Sequence, residues 1–284
     1  MIIHASLKTD ISYFYMTWFC NRLKEGFFDI PSNIPGEILR YKFKDNPIEK
    51  IYLHTKNPYK IIKNFNDLKS FKQYYEIVTH ISMYDKFYEQ KISDKYKIFE
   101  YVWECKKLVG KENNSICYGP IFKTIINDLY WHINQFKFLC NILHNSISTI
   151  YYDFSISNLC KESIYFNATE FSKQEQKEII NQFKLIAQQY NIILKEIPNE
   201  KKFKQDEIDI GEINTCPATC KYCKYITNSK TAIIKNSMHN PNSSLLIGTI
   251  NTNDKIKNII LTENEEQNPI IEQKCTQYSL FDLV

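Results

Sequence analysis

The chain has 284 residues, 43% of them hydrophobic, and 36 Lys and Arg against 32 Asp and Glu give a net charge of +4. That length and apolar content provide for a substantial core, and we read them as one domain with a tail. A charge so near balance permits nucleic-acid contact without demanding it. No apolar run reaches the length of a membrane span, and nine cysteines without an N-terminal signal peptide point to a reducing cytoplasm rather than a disulfide framework.

In chain order, Ile2 to Ser6 read as a short buried strand. Lys8-Thr-Asp10 then opens a helix whose Ile11, Phe14, Tyr15, Trp18, Phe19 and Leu23 recur at helical spacing until Gly26 ends it. Lys50 to Thr55 is a second strand, and Pro58 suits the first turn of the helix after it. Tyr74 to Ile81 is a third strand, followed by a helix capped by Ser93 and carrying Ile98, Phe99, Val102, Cys105 and Val109. Strand four is Ser115 to Tyr118, with a helix from about Asp128 to His144. Strand five is Thr149 to Phe154, and Ser172-Lys-Gln-Glu175 is a capping box for the next helix. Strands at Ile192 to Ile197 and Ile208 to Ile210 complete the series, the last leading directly into a cysteine-rich loop.

Strands alternating with helices imply parallel pairing through right-handed crossovers, and six or seven units predict a closed or partly closed TIM-like β/α barrel. An open doubly wound sheet is the alternative. Barrel sites form at the C-terminal ends of the strands, which makes Lys8, Thr9, Asp10, Lys56, Asn57 and Glu196 candidate site residues. Each has a plainer reading: Asp10 as a helix cap, Lys56 as a solvated loop residue, His4 and His132 as core histidines. No Gly-rich phosphate loop, serine-nucleophile elbow or His-Glu-x-x-His motif occurs.

The loop Asn214-Thr-Cys-Pro-Ala-Thr-Cys-Lys-Tyr-Cys-Lys224 places Cys216, Cys220 and Cys223 at C-x3-C-x2-C spacing. Three thiolates so close suit one side of an iron-sulfur cluster better than a zinc site, which wants four ligands in two separated pairs. Zinc, with Cys275 or His239 as a fourth ligand, and unmetallated thiols are the alternatives. The spacing resembles the cluster loop of the radical S-adenosylmethionine (SAM) enzymes. That resemblance implies a 4Fe-4S cluster whose open iron binds SAM, generating a 5′-deoxyadenosyl radical, with an external electron donor and with Asn214 and Tyr222 as cofactor contacts.

Four separated stretches together resemble domain-of-unknown-function family 1848: Met1 to Asp10, Thr55-Lys-Asn-Pro58, Asp209 to Cys216 with its two companion cysteines, and His239 to Gly248. The similarity spans about the first 255 residues. The family is bacterial and phage-borne and is regarded as radical-SAM-like. This chain departs from it in having Leu7 and Lys8 in place of two arginines, and Ile116-Cys-Tyr-Gly-Pro120 in place of Trp-Arg-Tyr-Asp-Pro. We take residues 1–250 as the domain and 251–284 as a polar linker ending in a peptide. There Gln277, Leu280 and Phe281 resemble the motif that binds the bacterial sliding clamp, which implies DNA modification or repair. A non-catalytic binding protein with a structural zinc or iron-sulfur site is the alternative function.

Overall fold

The computed structural model describes residues 1–155, 168–198 and 203–261. Seven strands form one wholly parallel sheet: β1 (Ile2–His4), β4 (Lys50–Thr55), β5 (Tyr75–Ile81), β6 (Asn114–Tyr118), β7 (Thr149–Tyr152), β8 (Ile193–Glu196) and β9 (Glu207–Asp209). Their order is β8-β7-β6-β5-β4-β1-β9, so the last strand lies beside the first, with Ile3 opposite Ile208. The sheet curls into half a barrel and is not closed, because β8 and β9 are its two edges. Full closure, one form of the expected barrel, is therefore corrected. Both edge strands are short, and the side chains of β8 are largely exposed, which is not the surface of a strand covered by a neighbour.

The two faces of the sheet differ in chemistry. Ile3, Ile51, Leu53 and Ile77 pack against Trp18, Phe19 and Leu23 of α2 (Met16–Glu25). Ile116 and Ile150 pack against α5 (Lys95–Val109), α6 (Leu129–Leu143) and α7 (Lys173–Gln189), whose apolar stripes follow the helical period. The capping box of α7 is formed in full, Ser172 accepting from Glu175 N–H and Glu175 reaching back. Residues of opposite parity, including Val78, Cys117 and Tyr151, occupy the concave side with Tyr52.

The first predicted helix is broken in two. α1 (Ile11–Phe14) ends at Tyr15, whose hydroxyl donates to Thr215 O at 2.5 Å, and α2 starts anew at Met16. The helix after β4 is likewise two short pieces, α3 (Tyr59–Lys63) and α4 (Phe65–Leu68). Asp94, one residue beyond the predicted Ser93, caps α5, and Ser93 instead receives a hydrogen bond from Asn57.

A second sheet has no counterpart in the sequence reading. β2 (Phe27–Pro31) and β3 (Glu37–Lys42) form a hairpin fixed by paired hydrogen bonds from Arg40 to Asp29, both 2.7 Å. β10 (Lys255–Ile259) runs parallel to β3, so residues 255–259 of the expected linker are a paired strand. Asn46 pins it from both sides, donating to Ile259 O at 2.9 Å and accepting from Leu261 N–H at 2.6 Å. Among the described residues no helix is long and apolar enough to cross a membrane.

Candidate functional site

Residues at the C-terminal strand ends and in the cysteine loop line one cleft of about 910 Å³, mouth included. β1 and the turn after it supply Ser6, Leu7, Lys8, Thr9 and Asp10. β4 supplies His54, Thr55 and Lys56, β5 His80 and β6 Cys117. Asp153 and Ser155 follow β7, and the loop after β9 adds Cys216, Cys220, Tyr222, Cys223 and Lys224.

The loop leaves β9 through a tight junction with β1. Asp209 takes the Ser6 hydroxyl and Gly211 N–H on one oxygen and Leu7 N–H on the other, the last two at 2.8 Å. A Cβ at Gly211 would stand 2.1 Å from Ser6 Oγ, so only glycine fits there. Farther on, Asn214 closes the loop on itself. Its left-handed backbone (φ 54°) presents Oδ1 to Thr227 N–H at 2.7 Å and Asn228 N–H at 3.1 Å.

Asp10 is both the cap of α1 and a brace between strands. It accepts Tyr13 N–H at 3.0 Å, and its other oxygen accepts Lys56 N–H at 2.8 Å and the Thr55 hydroxyl at 3.1 Å. Burial pushes its carboxyl up to about 6, against those hydrogen bonds.

Beneath the thiols lies a buried ionic cluster. Lys56 Nζ donates to Glu89 at 2.8 Å and to the Tyr222 hydroxyl at 2.6 Å, Tyr222 donates to Glu89, and Lys95 pairs with the second Glu89 oxygen. Burial alone would raise the Glu89 carboxyl, but the two lysines outweigh it and hold it at about 2. Burial pulls Lys56 down, yet Glu89 and the neighbouring sulfurs raise it, while for Lys95 burial prevails and lowers it. Tyr222 immediately precedes the third cysteine, so this cluster ties the loop to the ends of β4 and β5.

Burial keeps the three cysteines as thiols, raising Cys216 to about 12 and Cys220 and Cys223 above their ordinary value. Backbone N–H groups act the other way: those of Asp10 and Ala218 on Cys216, and those of Tyr225 and Ile226 on Cys223. Lys56 also favours the charged forms of Cys220 and Cys223. Amide hydrogens aimed at sulfur, with a nearby cation, are what cluster-bound thiolates need.

Among the described residues no three His, Cys, Asp or Glu side chains converge as they would around a single metal ion. A tetrahedral zinc requires such convergence, whereas a polynuclear cluster takes each cysteine at a different corner. His239, one candidate fourth zinc ligand, bonds Leu246 O at 2.7 Å and packs edge-on to Tyr15. Cys275, the other candidate, lies outside the described residues.

Of the candidates named from sequence, Lys8, Thr9, Asp10, Lys56, Tyr222 and the three cysteines share the cleft. Asn57 does not line it. Its side chain donates to Ser93 Oγ at 2.8 Å and accepts Tyr59 N–H at the start of α3. Asn214 stands at the foot of the loop with its amide engaged in the closure, and Glu196 is exposed at the end of β8. Gln277, Leu280 and Phe281 lie outside the described residues. Sequence reasoning missed Glu89 and Lys95, and it took His4 as a core histidine and His80 as a strand-end residue without seeing that His54 joins them in a row. Strand parity was the available signal for the histidines, because each falls on the concave side of a different parallel strand.

A family model described as "Domain of unknown function (DUF1848)" matches residues 2–208. The match ends within β9, short of the cysteine loop and of the 255 residues expected. No curated protein and no solved structure matches the chain.

Proposed function

The chain belongs to the DUF1848 family, and from that membership and the cleft we propose a radical-SAM-like iron-sulfur enzyme that generates a 5′-deoxyadenosyl radical. The observation that carries the reading is the placement of three thiols on one strand-end cleft, two of them facing pairs of backbone N–H groups. Cys216, Cys220 and Cys223 would hold a 4Fe-4S cluster, which would supply one-electron chemistry to SAM.

The rest of the work falls to this chain's own residues. Asp10 positions Cys216 through its N–H while its carboxylate braces β1 against β4. Lys56, Glu89 and Tyr222 hold the segment between Cys220 and Cys223 and put a positive charge under the thiolates. Lys8, Asp153, Ser155 and Lys224 supply polar groups at the mouth, with Lys224 donating to Ser155 Oγ at 3.0 Å. Strand order also favours the reading. In radical-SAM enzymes the cluster loop follows the first strand, and here β9 takes an equivalent place at the sheet edge beside β1 by a circular rearrangement.

Anaerobic reconstitution with iron and sulfide is the test. We expect visible absorbance from the cluster, and release of 5′-deoxyadenosine on addition of SAM and dithionite. Cys216→Ala, Cys220→Ala and Cys223→Ala should each abolish the absorbance, because a three-point site has no spare ligand. A protein with neither signal would overturn the proposal, and one zinc per chain would replace it with the structural-site reading.

Action on DNA rests on the sequence of the C-terminal peptide. A synthetic peptide of residues 276–284 should bind a bacterial sliding clamp weakly, through Leu280 and Phe281, since so short a segment must be ordered on binding. No binding would remove that part of the proposal.

A further inference from the structure

Three imidazoles join the concave side of the half-barrel to its edge. His4 Nδ1 lies 3.1 Å from His54 Nε2, and His54 Nδ1 lies 3.0 Å from His80 Nε2. They come from three successive strands of the sheet, β1, β4 and β5. The order of ring nitrogens is the same at both links, so the row has a direction. At its inner end, His54 and His80 line the cleft, and His80 Nδ1 has no hydrogen-bond partner among the described residues. At its outer end, buried His4 Nε2 lacks a partner and lies 3.9 Å from Glu207 Oε2, on a side chain that is 16% exposed at the edge strand. One bridging water or a small ring rotation spans that gap.

We propose that His4, His54 and His80 form a proton relay between the strand-end cleft and Glu207 at the sheet edge. A neutral imidazole carries one N–H and one bare nitrogen, so a row linked head to tail has only two fully bonded states. In one, every ring is protonated at Nε2, and His4 donates toward the Glu207 carboxylate. In the other, every ring is protonated at Nδ1, and His80 presents its N–H to the cleft. Conversion from the first to the second takes a proton from a cleft group onto His80 Nδ1. His80 passes its Nε2 proton to His54 Nδ1, His54 passes its own to His4 Nδ1, and His4 passes its own to Glu207. One proton crosses, the carboxylate becomes a carboxyl, each ring ends neutral, and the reverse sequence returns the proton.

The surroundings favour neutral rings. Burial lowers His4 to about 4 and His80 to about 3, with Lys56 and Lys224 opposing charge on His80, and burial with both neighbouring rings holds His54 well below its ordinary value. Burial and Asp206 raise Glu207 while Lys204 N–H and charge oppose, which brings a carboxylate toward the range of a usable acceptor. Tyr52 and Phe203 stack on His4 at 4.9 and 4.4 Å and hold its plane. The relay deepens the enzymatic reading of the cleft and rests on it for its use, yet its existence is measurable without any cluster.

The test is 15N NMR of the full chain labelled at histidine, without iron or SAM, at pH 7.5. The expected result is that His4, His54 and His80 share one tautomer, protonated at Nε2, facing ionised Glu207. Glu207→Gln replaces an acceptor by an amide that can donate, and it should move the proton of all three rings to Nδ1, His80 included. His54→Phe cuts the row, so Glu207→Gln on that background should leave His80 as it was. Unlike tautomers in the wild-type row, or a His80 that ignores Glu207→Gln in a folded chain with His54 intact, overturns the relay. Failure of cluster assembly would overturn the radical-enzyme reading and leave this result standing.

Discussion

Glu89 concentrates more consequence than any other single side chain at the site. Its carboxylate is 3% exposed and answers two lysines and a tyrosine that come from different parts of the chain. Removing one partner of a buried ion pair typically costs roughly 3–5 kcal/mol, because the remaining charge is left without compensation. Glu89→Gln should therefore lower the unfolding free energy by an amount in that range, read as a lower urea midpoint, with the lysine pair and Tyr222 both released. An unchanged midpoint would mean that Lys56 finds another acceptor. Gly211 is the second sensitive position. Gly211→Ala drives a methyl onto Ser6, which Asp209 holds in place, and overpacking of this kind costs about 1–3 kcal/mol. Thermal unfolding of the variant would read it.

At the scale of elements, periodicity made most of the sheet and its covering helices legible. The apolar runs of β4, β5 and β6 and the stripes of α5, α6 and α7 are local signals, and local signals survive into structure. The β2 and β3 hairpin was not legible, because what specifies it is a contact between Asp29 and Arg40 and the burial of Phe28 against Phe19. Neither contact leaves a period in the sequence. β10 was hidden for the same reason, since its side chains are almost all exposed and its position depends on backbone pairing to β3 and on Asn46. The site was legible in part: the cysteine spacing and the strand-end rule located Cys216, Cys220, Cys223, Lys56 and Asp10. Glu89 was beyond reach, because a loop carboxylate acquires its meaning from Lys56 and Tyr222, 33 and 133 positions away.

For the whole molecule, the buried histidines set an acid limit. His4, His54, His80 and His132 all have lowered values, burial being the main cause. Depressed basic groups give stability that is complete above the unfolded value near 6.5 and is lost as the pH falls toward the folded value. His4, displaced to about 4, contributes about 3 kcal/mol to that loss when fully titrated. Asp10 works in the opposite sense: its cost at neutral pH is relieved as the pH falls through about 6. The four lowered histidines outweigh the raised carboxyls of Asp10, Glu207 and Glu212, so circular dichroism should report stability falling between pH 6.5 and 4, and constant stability across that window would contradict the burial of the row.

The pairing of β9 with β1 also sets a timetable for synthesis. β1 leaves the ribosome well ahead of its partner on one side, which follows about 200 positions later, roughly 10–40 s at ordinary elongation rates. During that interval one edge of β1 has open backbone groups, a template for wrong pairing that a nascent chain must keep shielded. Cys216, Cys220 and Cys223 emerge only after the strand that fills that edge. If the proposed cluster were loaded during synthesis, it would meet no cysteine trio until every strand of the half-barrel had been made.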